Sequence, residues 1–263
     1  MKKIFTLFFL TATLLFAQTL DQRLLQYPQT KEWLKDADTN GESAYNIGLL
    51  YQKYINDNAK AIEWYTKAYS MDDKEAAGSA ANNLGYLYKN NLNDYKKAEE
   101  WYKKGIDKDD TSAPLGLGLM YKKLHQYDNA IVYYKKAYEM GNFGGATSLG
   151  YLYDVILKNT EEGIKWYKKA AQGGDADAIN NLGSVYYEQG DKIRGSAYIF
   201  AMVNYGYSKQ EVYDFLKNDW KIDEATLKQA YQLQKTLDIP KHYYDAELED
   251  NPTSKSKNPR GQR

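Results

Sequence analysis

The sequence predicts an all-α solenoid of about five helix-turn-helix repeats, and three observations predict it. The pattern Gly-x-x-Tyr recurs at Gly48/Tyr51, Gly85/Tyr88, Gly118/Tyr121, Gly150/Tyr153 and Gly183/Tyr186, with successive glycines 37, 33, 32 and 33 residues apart. A second register follows each glycine by 13, 13, 12, 13 and 12 residues: Ala61-x-x-Trp64-Tyr65, Ala98-x-x-Trp101-Tyr102, Ala130-x-x-Tyr133-Tyr134, Gly163-x-x-Trp166-Tyr167 and Gly195-x-x-Tyr198. Only 5 of the 263 residues are Pro, and Lys, Glu, Ala and Leu are abundant, which favours helices.

A glycine within a helix costs about 1 kcal/mol relative to alanine, so five at one register need a compensating gain. Close approach of each repeat's two helices supplies it. The small residue opening the second helix, with Ala68, Gly105, Ala137 and Ala170 seven positions on, presents a matching flat surface. Each Tyr or Trp then fills the gap between hairpins, where one ring buries much apolar area. That accounts for 27 tyrosines without a chemical role for them.

The elements follow in order. Residues 1–17 read as a signal peptide: Lys2 and Lys3 form a basic start, Ile4 to Phe16 an apolar run too short to span a bilayer, and Ala17 a cleavage position. This predicts a periplasmic or secreted protein with no stable membrane span after cleavage. Residues 18–40 form N-terminal capping helices divided by Pro28, with Thr30 capping the second and Leu24, Leu25, Trp33 and Leu34 covering the first repeat. Repeats fill 41–207, at 41–74, 75–111, 112–143, 144–175 and 176–207. Their turns carry Asp72-Asp73, Asp109-Asp110 and Asn142, residues suited to turns and caps. Residues 208–239 form C-terminal capping helices. A capping box, Ser208 to Glu211, opens the first; Asp223 opens the second, with Ile222 and Leu227 placed as a staple. The polar tail, 240–263, has the composition of a disordered segment.

The segment Trp166 to Tyr186, WYKKAAQGGDADAINNLGSVY, resembles the Sel1-like repeat family, a branch of the tetratricopeptide-type helical repeats. The resemblance extends over Gly41 to Tyr207. From the second helix to the next glycine the chain takes 24, 20, 20 and 20 residues, mostly the Sel1-like interval, whereas 12 or 13 from first helix to second is nearer the tetratricopeptide one. It reads as Sel1-like with trimmed hairpin loops, and the resemblance implies a right-handed superhelix whose first helices line a concave groove.

Little points to chemistry. Formal charge is zero, 35 basic against 35 acidic residues, which disfavours a nucleic-acid partner. There is no cysteine, which excludes disulfides, thiol chemistry and a cysteine-linked lipid anchor. His125 and His242 are the only histidines and are far apart, so no metal site is expected. The acidic pairs Glu99-Glu100 and Glu161-Glu162 open second helices, where they complement the helix dipole. Lys-Lys pairs at 103–104, 135–136 and 168–169 read as a wet outer face. The sequence thus predicts no catalytic residue, cofactor or metal. The enzymatic alternative comes from secreted Sel1-like relatives, the Helicobacter cysteine-rich family, which carry a β-lactamase or penicillin-binding label. Here their paired cysteines are missing, and the sole Ser-x-x-Lys, Ser254–Lys257, falls in the tail.

A peptide or protein partner in the cell envelope, held in the groove, is the leading expectation. Positions −3, +1 and +4 from each glycine share one helix face. They include Asn82, Tyr86 and Lys89; Lys122; Thr147, Tyr151 and Asp154; and Asn180 and Tyr187. Asn83 and Asn181 add amides able to bond an extended backbone, or alternatively to tie neighbouring helices together.

Overall fold

The computed structural model describes residues 21–240; the expected signal peptide, residues 18–20 and the tail from 241, with His242 and Ser254–Lys257, lie outside the described residues. Thirteen α-helices and no strand occur among the described residues. None of these helices is long and apolar enough to cross a membrane. The described residues divide into two compact units, with the boundary between Met120 and Tyr121. Unit 1 holds α1 (Thr30–Asp36), α2 (Gly41–Leu50), α3 (Asn58–Tyr69), α4 (Lys74–Asn90) and α5 (Tyr95–Asp107). The boundary falls within α6 (Ala113–Lys123). Unit 2 continues with α7 (Tyr127–Glu139), α8 (Gly144–Tyr151), α9 (Thr160–Gln172), α10 (Ala176–Glu188), α11 (Lys192–Ala201), α12 (Lys209–Asp214) and α13 (Glu224–Gln234).

In unit 1, α2 packs on α3 and α4 on α5; in unit 2, α8 packs on α9 and α10 on α11. The repeat glycines explain how. A methyl group at Gly48 would lie 2.7 Å from the Tyr65 ring, and one at Gly85 would lie 2.7 Å from the Tyr102 ring. Gly150 faces the Tyr167 ring in the same way. Each of these rings is fully buried, as is that of Tyr134. Where the second helix opens with glycine, backbone meets backbone: Gly195 lies against the Gly183 carbonyl and Gly163 against that of Gly150. In the Gly48, Gly85 and Gly150 repeats the second aromatic of the pair thus lies against a first helix stripped of side chain, and in the fifth repeat Ile199 takes that place against Gly183.

The first aromatic of the pair joins successive second helices. Trp101 meets Tyr69 edge-on at 5.2 Å within unit 1, and Trp166 meets Tyr138 at 5.9 Å within unit 2. The second lysine of the pair then lies over the indole: Lys104 Nζ is 3.9 Å from the Trp101 ring and Lys169 Nζ 3.9 Å from that of Trp166. What the sequence offers as a wet face is also a row of cation–π caps.

The hairpin loops obey a rule. The residue before each second-helix cap is left-handed: Asn56, Asn93, His125, Lys158 and Gly190. The cap residue then donates its N–H to the carbonyl of the repeat tyrosine: Asp57 to Tyr51, Asp94 to Tyr88, Gln126 to Tyr121, Asn159 to Tyr153 and Asp191 to Tyr186. Where the glycine-to-small spacing is 12, this bond spans five residues; where it is 13, it spans six. The extra residue is absorbed by a widened, π-type turn, at Tyr51–Ile55 and Leu152–Ile156 and in the Leu92 N–H to Leu87 carbonyl bond. The other turns behave as expected. Asp73, Asp110 and Asp175 accept N–H bonds at the starts of first helices, and Asn142 accepts one from Gly144.

The ends differ from the expectation in detail. At the N-terminus a 3₁₀ turn, Gln22–Gln26, precedes α1. Thr30 does not cap α1; it is the first helical residue and is buried, with its hydroxyl unpaired among the described residues. Leu24 is buried and Trp33 and Leu34 pack on the unit 1 core, but Leu25 is exposed, because the 3₁₀ turn points it outward. Arg23 bridges Asp21 (2.6 Å) and the α3 cap Asp57 (2.7 Å), and Tyr51 Oη donates to Asp21 (3.1 Å). The Arg23 guanidinium holds the Asp21 carboxyl at about 2, below its ordinary 3.8. A carboxyl depressed in the folded state contributes stability above its unfolded value, and that contribution is lost as pH falls through the folded one. Amide protection at 21–27, taken relative to the intrinsic exchange rate at each pH, is therefore expected to fall between pH 3.8 and about 2, ahead of the repeats; protection unchanged across that window would count against the bridge as the anchor.

At the C-terminus, α12 opens with the expected Ser208/Glu211 capping box, and Asp223 caps α13, with Ile222 and Leu227 both buried. The segment carries the hydrogen-bond register of a sixth hairpin, although its second helix packs on α11 rather than on α12. A π-type turn, Phe215–Asp219, extends α12, and Ile222 N–H bonds the Leu216 carbonyl six residues back, as in a 13-spaced repeat. α13 packs on α11.

Candidate functional site

In unit 1, α2 and α4 bound a cleft of about 420 Å³, lined by Tyr45 and Leu49 of α2, Gln52 of the π-type turn that follows it, and Asn83, Tyr86 and Leu87 of α4. The core aromatics below determine how it is built. Tyr65 lies under Gly48, and its hydroxyl emerges to donate to Gln52 Oε1 at 2.6 Å. Asn83 Nδ2 donates to Tyr45 Oη at 3.3 Å, tying α4 to α2. Asn83 therefore takes the helix-tying role, the alternative the sequence leaves open. Burial pushes the Tyr65 and Tyr102 phenols well above their ordinary value, so both remain hydrogen-bond donors at any working pH. Tyr86 is 48 % exposed and Asn82 half-buried. Lys53 is the one charged residue on the cleft wall.

Lys89 departs from the exposed stripe the sequence predicts. It is only 8 % exposed, its ammonium 5.7 Å from the Tyr86 ring and 6.0 Å from that of Tyr102. Its aliphatic stem is covered by the same rings that make the face.

In unit 2, Lys122 Nζ lies 5.0 Å from the ring of Tyr151, which is 41 % exposed. Thr147, Asp154 and Asn181 are half-buried and Asn180 is exposed. Tyr187 is not open. Its ring stacks on Trp220 at 4.1 Å and 19°, and its hydroxyl donates to the Trp220 carbonyl at 3.1 Å. The sixth hairpin covers it, an occupant that repeat spacing ending at Tyr207 gave no reason to expect.

The buried phenols also allow a direct comparison. Tyr65 has the Gln52 bond, whereas the Tyr134 hydroxyl is buried with no partner among the described residues. Tyr65→Phe is expected to cost about 0.5–1.5 kcal/mol and Tyr134→Phe to be neutral or stabilising. Thermal melts of the two variants give the ordering; a larger loss at 134 would mean its hydroxyl has a partner after all.

Known proteins place this architecture. The tetratricopeptide repeat family matches residues 41–75, 78–109 and 115–140, and the Sel1 repeat family matches 145–175 and 176–196. The chain is a Sel1- and tetratricopeptide-type repeat protein. The three earlier repeats thus match the tetratricopeptide description and the two later ones the Sel1 description, in a chain whose intervals already mix the two types. Among solved structures, c5321, a protective antigen of uropathogenic Escherichia coli with an SLR fold, aligns at TM-score 0.61 and 20 % identity over 89 % of this Sel1/tetratricopeptide chain. This chain spans 53 % of the antigen's length. A Sel1 repeat protein from Oxalobacter formigenes aligns at TM-score 0.55 and 21 % identity, over 81 % of this chain and 96 % of that one. At these identities the likeness is one of fold. No curated protein matches the sequence significantly. Repeats of both types typically mediate protein interactions, and the fold is that of a helical scaffold.

Proposed function

We propose that this Sel1/tetratricopeptide protein is an exported adaptor that binds a peptide or protein partner in the cell envelope through its first helices. Export is inferred from Lys2, Lys3, the apolar run Ile4 to Phe16 and Ala17. The observation that carries the binding reading is the exposure of Tyr86 and Tyr151. They occupy the same register, one past the repeat glycine, in different units. Large exposed aromatics are enriched where partners dock. Asn82 and Asn83 beside Tyr86, and Lys122, Thr147, Asp154, Asn180 and Asn181 toward Tyr151, complete the proposed faces, while the buried Lys89 underlies Tyr86.

The test is crosslinking capture from envelope extract with the processed protein beside Tyr86→Ala/Tyr151→Ala. Both side chains are exposed, so the double variant is expected to fold. A partner captured by the wild type and depleted at least fivefold by the variant supports the reading. Equal capture moves the site off the first helices. The β-lactam-directed alternative has no structural support, its one Ser-x-x-Lys lying outside the described residues.

A further inference from the structure

The sixth hairpin seats a side chain of the chain itself in a slot whose equivalent in unit 1 stays open. Trp220 donates its N–H to the Phe215 carbonyl, five residues back, and Ile222 bonds Leu216 across six. In the second repeat Leu92 donates to Leu87 and Asp94 to Tyr88 with the same spans. These bonds put Trp220 in register with Leu92 and Phe215 with Leu87. On the preceding first helix, Tyr187 stands four past Gly183, as Gln52 stands four past Gly48. In unit 2 the slot is closed: the Trp220 indole stacks on Tyr187, with Phe215 at 5.3 Å. In unit 1 the equivalent slot lies between Gln52 and Leu87, Leu92 is 51 % exposed, and the 420 Å³ cleft remains.

We propose that the unit 1 cleft is a receptor for an aromatic side chain, an indole first of all, carried by an extended segment of the partner. This rests on the adaptor reading and deepens it. Trp220 shows the mode of seating: a flat ring on a first-helix side chain, with its own carbonyl held by a hydroxyl from the groove. In unit 1, Tyr86 offers the ring face, and Gln52 and Asn83 offer amides for the segment's backbone. About 420 Å³ falls at the small end of ligand pockets, roughly 300–1,000 Å³, which suits one residue and its flanking peptide bonds.

The probe is acetyl-Gly-Gly-Trp-Gly-Gly-amide, titrated against the full chain and followed by backbone amide shifts, beside the same peptide with Leu for Trp. The expected result is at least a fivefold preference for Trp, with shifts centred on Gln52, Asn83, Tyr86 and Asn91. Gln52→Tyr/Leu92→Trp rebuilds the self-filled slot and is expected to weaken the Trp peptide at least tenfold. Tyr86→Ala, at an exposed position, serves as a second variant should the first fold poorly, and is expected to weaken it severalfold. Equal binding of the two peptides, shifts centred elsewhere, or a Tyr86→Ala variant that binds like the wild type each overturns the proposal. If envelope capture depends on Tyr86 and Tyr151 while the Trp peptide shows no preference, the adaptor reading stands and the aromatic receptor falls.

Discussion

Tyr102→Ala is expected to destabilise unit 1 by about 3–5 kcal/mol, the range for removing a large buried aromatic ring. The ring is 1 % exposed and lies against two first helices at once, since a methyl at either Gly85 or Gly116 would collide with it. Neither glycine has a side chain that could move into the space left behind, so the cavity cannot collapse from that side. Few single domains have more than about 5–15 kcal/mol in total, so a loss of this size should be visible as a large fall in melting temperature. Tyr102→Phe, which keeps the ring, should recover most of it. A loss below about 1 kcal/mol for the alanine variant would mean the ring is not the piece on which the glycines are built.

The second large effect runs the other way, by addition. Gly150→Ala should gain up to about 1 kcal/mol of helix propensity if backbone preference were all that mattered. The added methyl instead meets the ring of Tyr167, which is 1 % exposed and held by packing on every side. Overpacking of this kind costs about 1–3 kcal/mol, so the net expectation is destabilisation. The partner substitution makes the cause testable. Gly150→Ala/Tyr167→Leu should lose less than the sum of its two single variants, because the collision exists only when both methyl and ring are present. Strict additivity in denaturant melts would place the damage elsewhere.

Both predictions rest on features that were plain in the sequence, because glycine in a helix and a paired aromatic are costly or conspicuous and repeated in register. The loops were harder to read. Left-handed backbone is announced by glycine, yet the position before the second-helix cap is filled by Asn56, Asn93, His125, Lys158 and only once by glycine, at Gly190. Tertiary geometry imposes the conformation there, and four different residue types at five positions hide it. On the candidate face, helical spacing located Tyr86 and Tyr151 correctly on an exposed surface. It could not foresee that a lysine at the same face would be roofed by rings, as Lys89 is, since spacing reports direction and not depth. Nor could it foresee that Tyr187 would be taken by Trp220. The sixth hairpin has lost the Gly-x-x-Tyr signature, with Tyr213 and Leu216 in those places, and keeps only the hydrogen-bond register of the others.

That register has an evolutionary corollary. Because the carbonyl of each repeat tyrosine catches the next cap residue whether five or six residues separate them, the loop acts as an expansion joint. A one-residue insertion or deletion there changes the curl of a single turn and leaves the buried rings where they were. Hairpins can therefore drift in length one at a time without being selected out as misfits. A single chain can thus hold hairpins of both lengths, and here each length occurs in the tetratricopeptide-matched stretch and again in the Sel1-matched one.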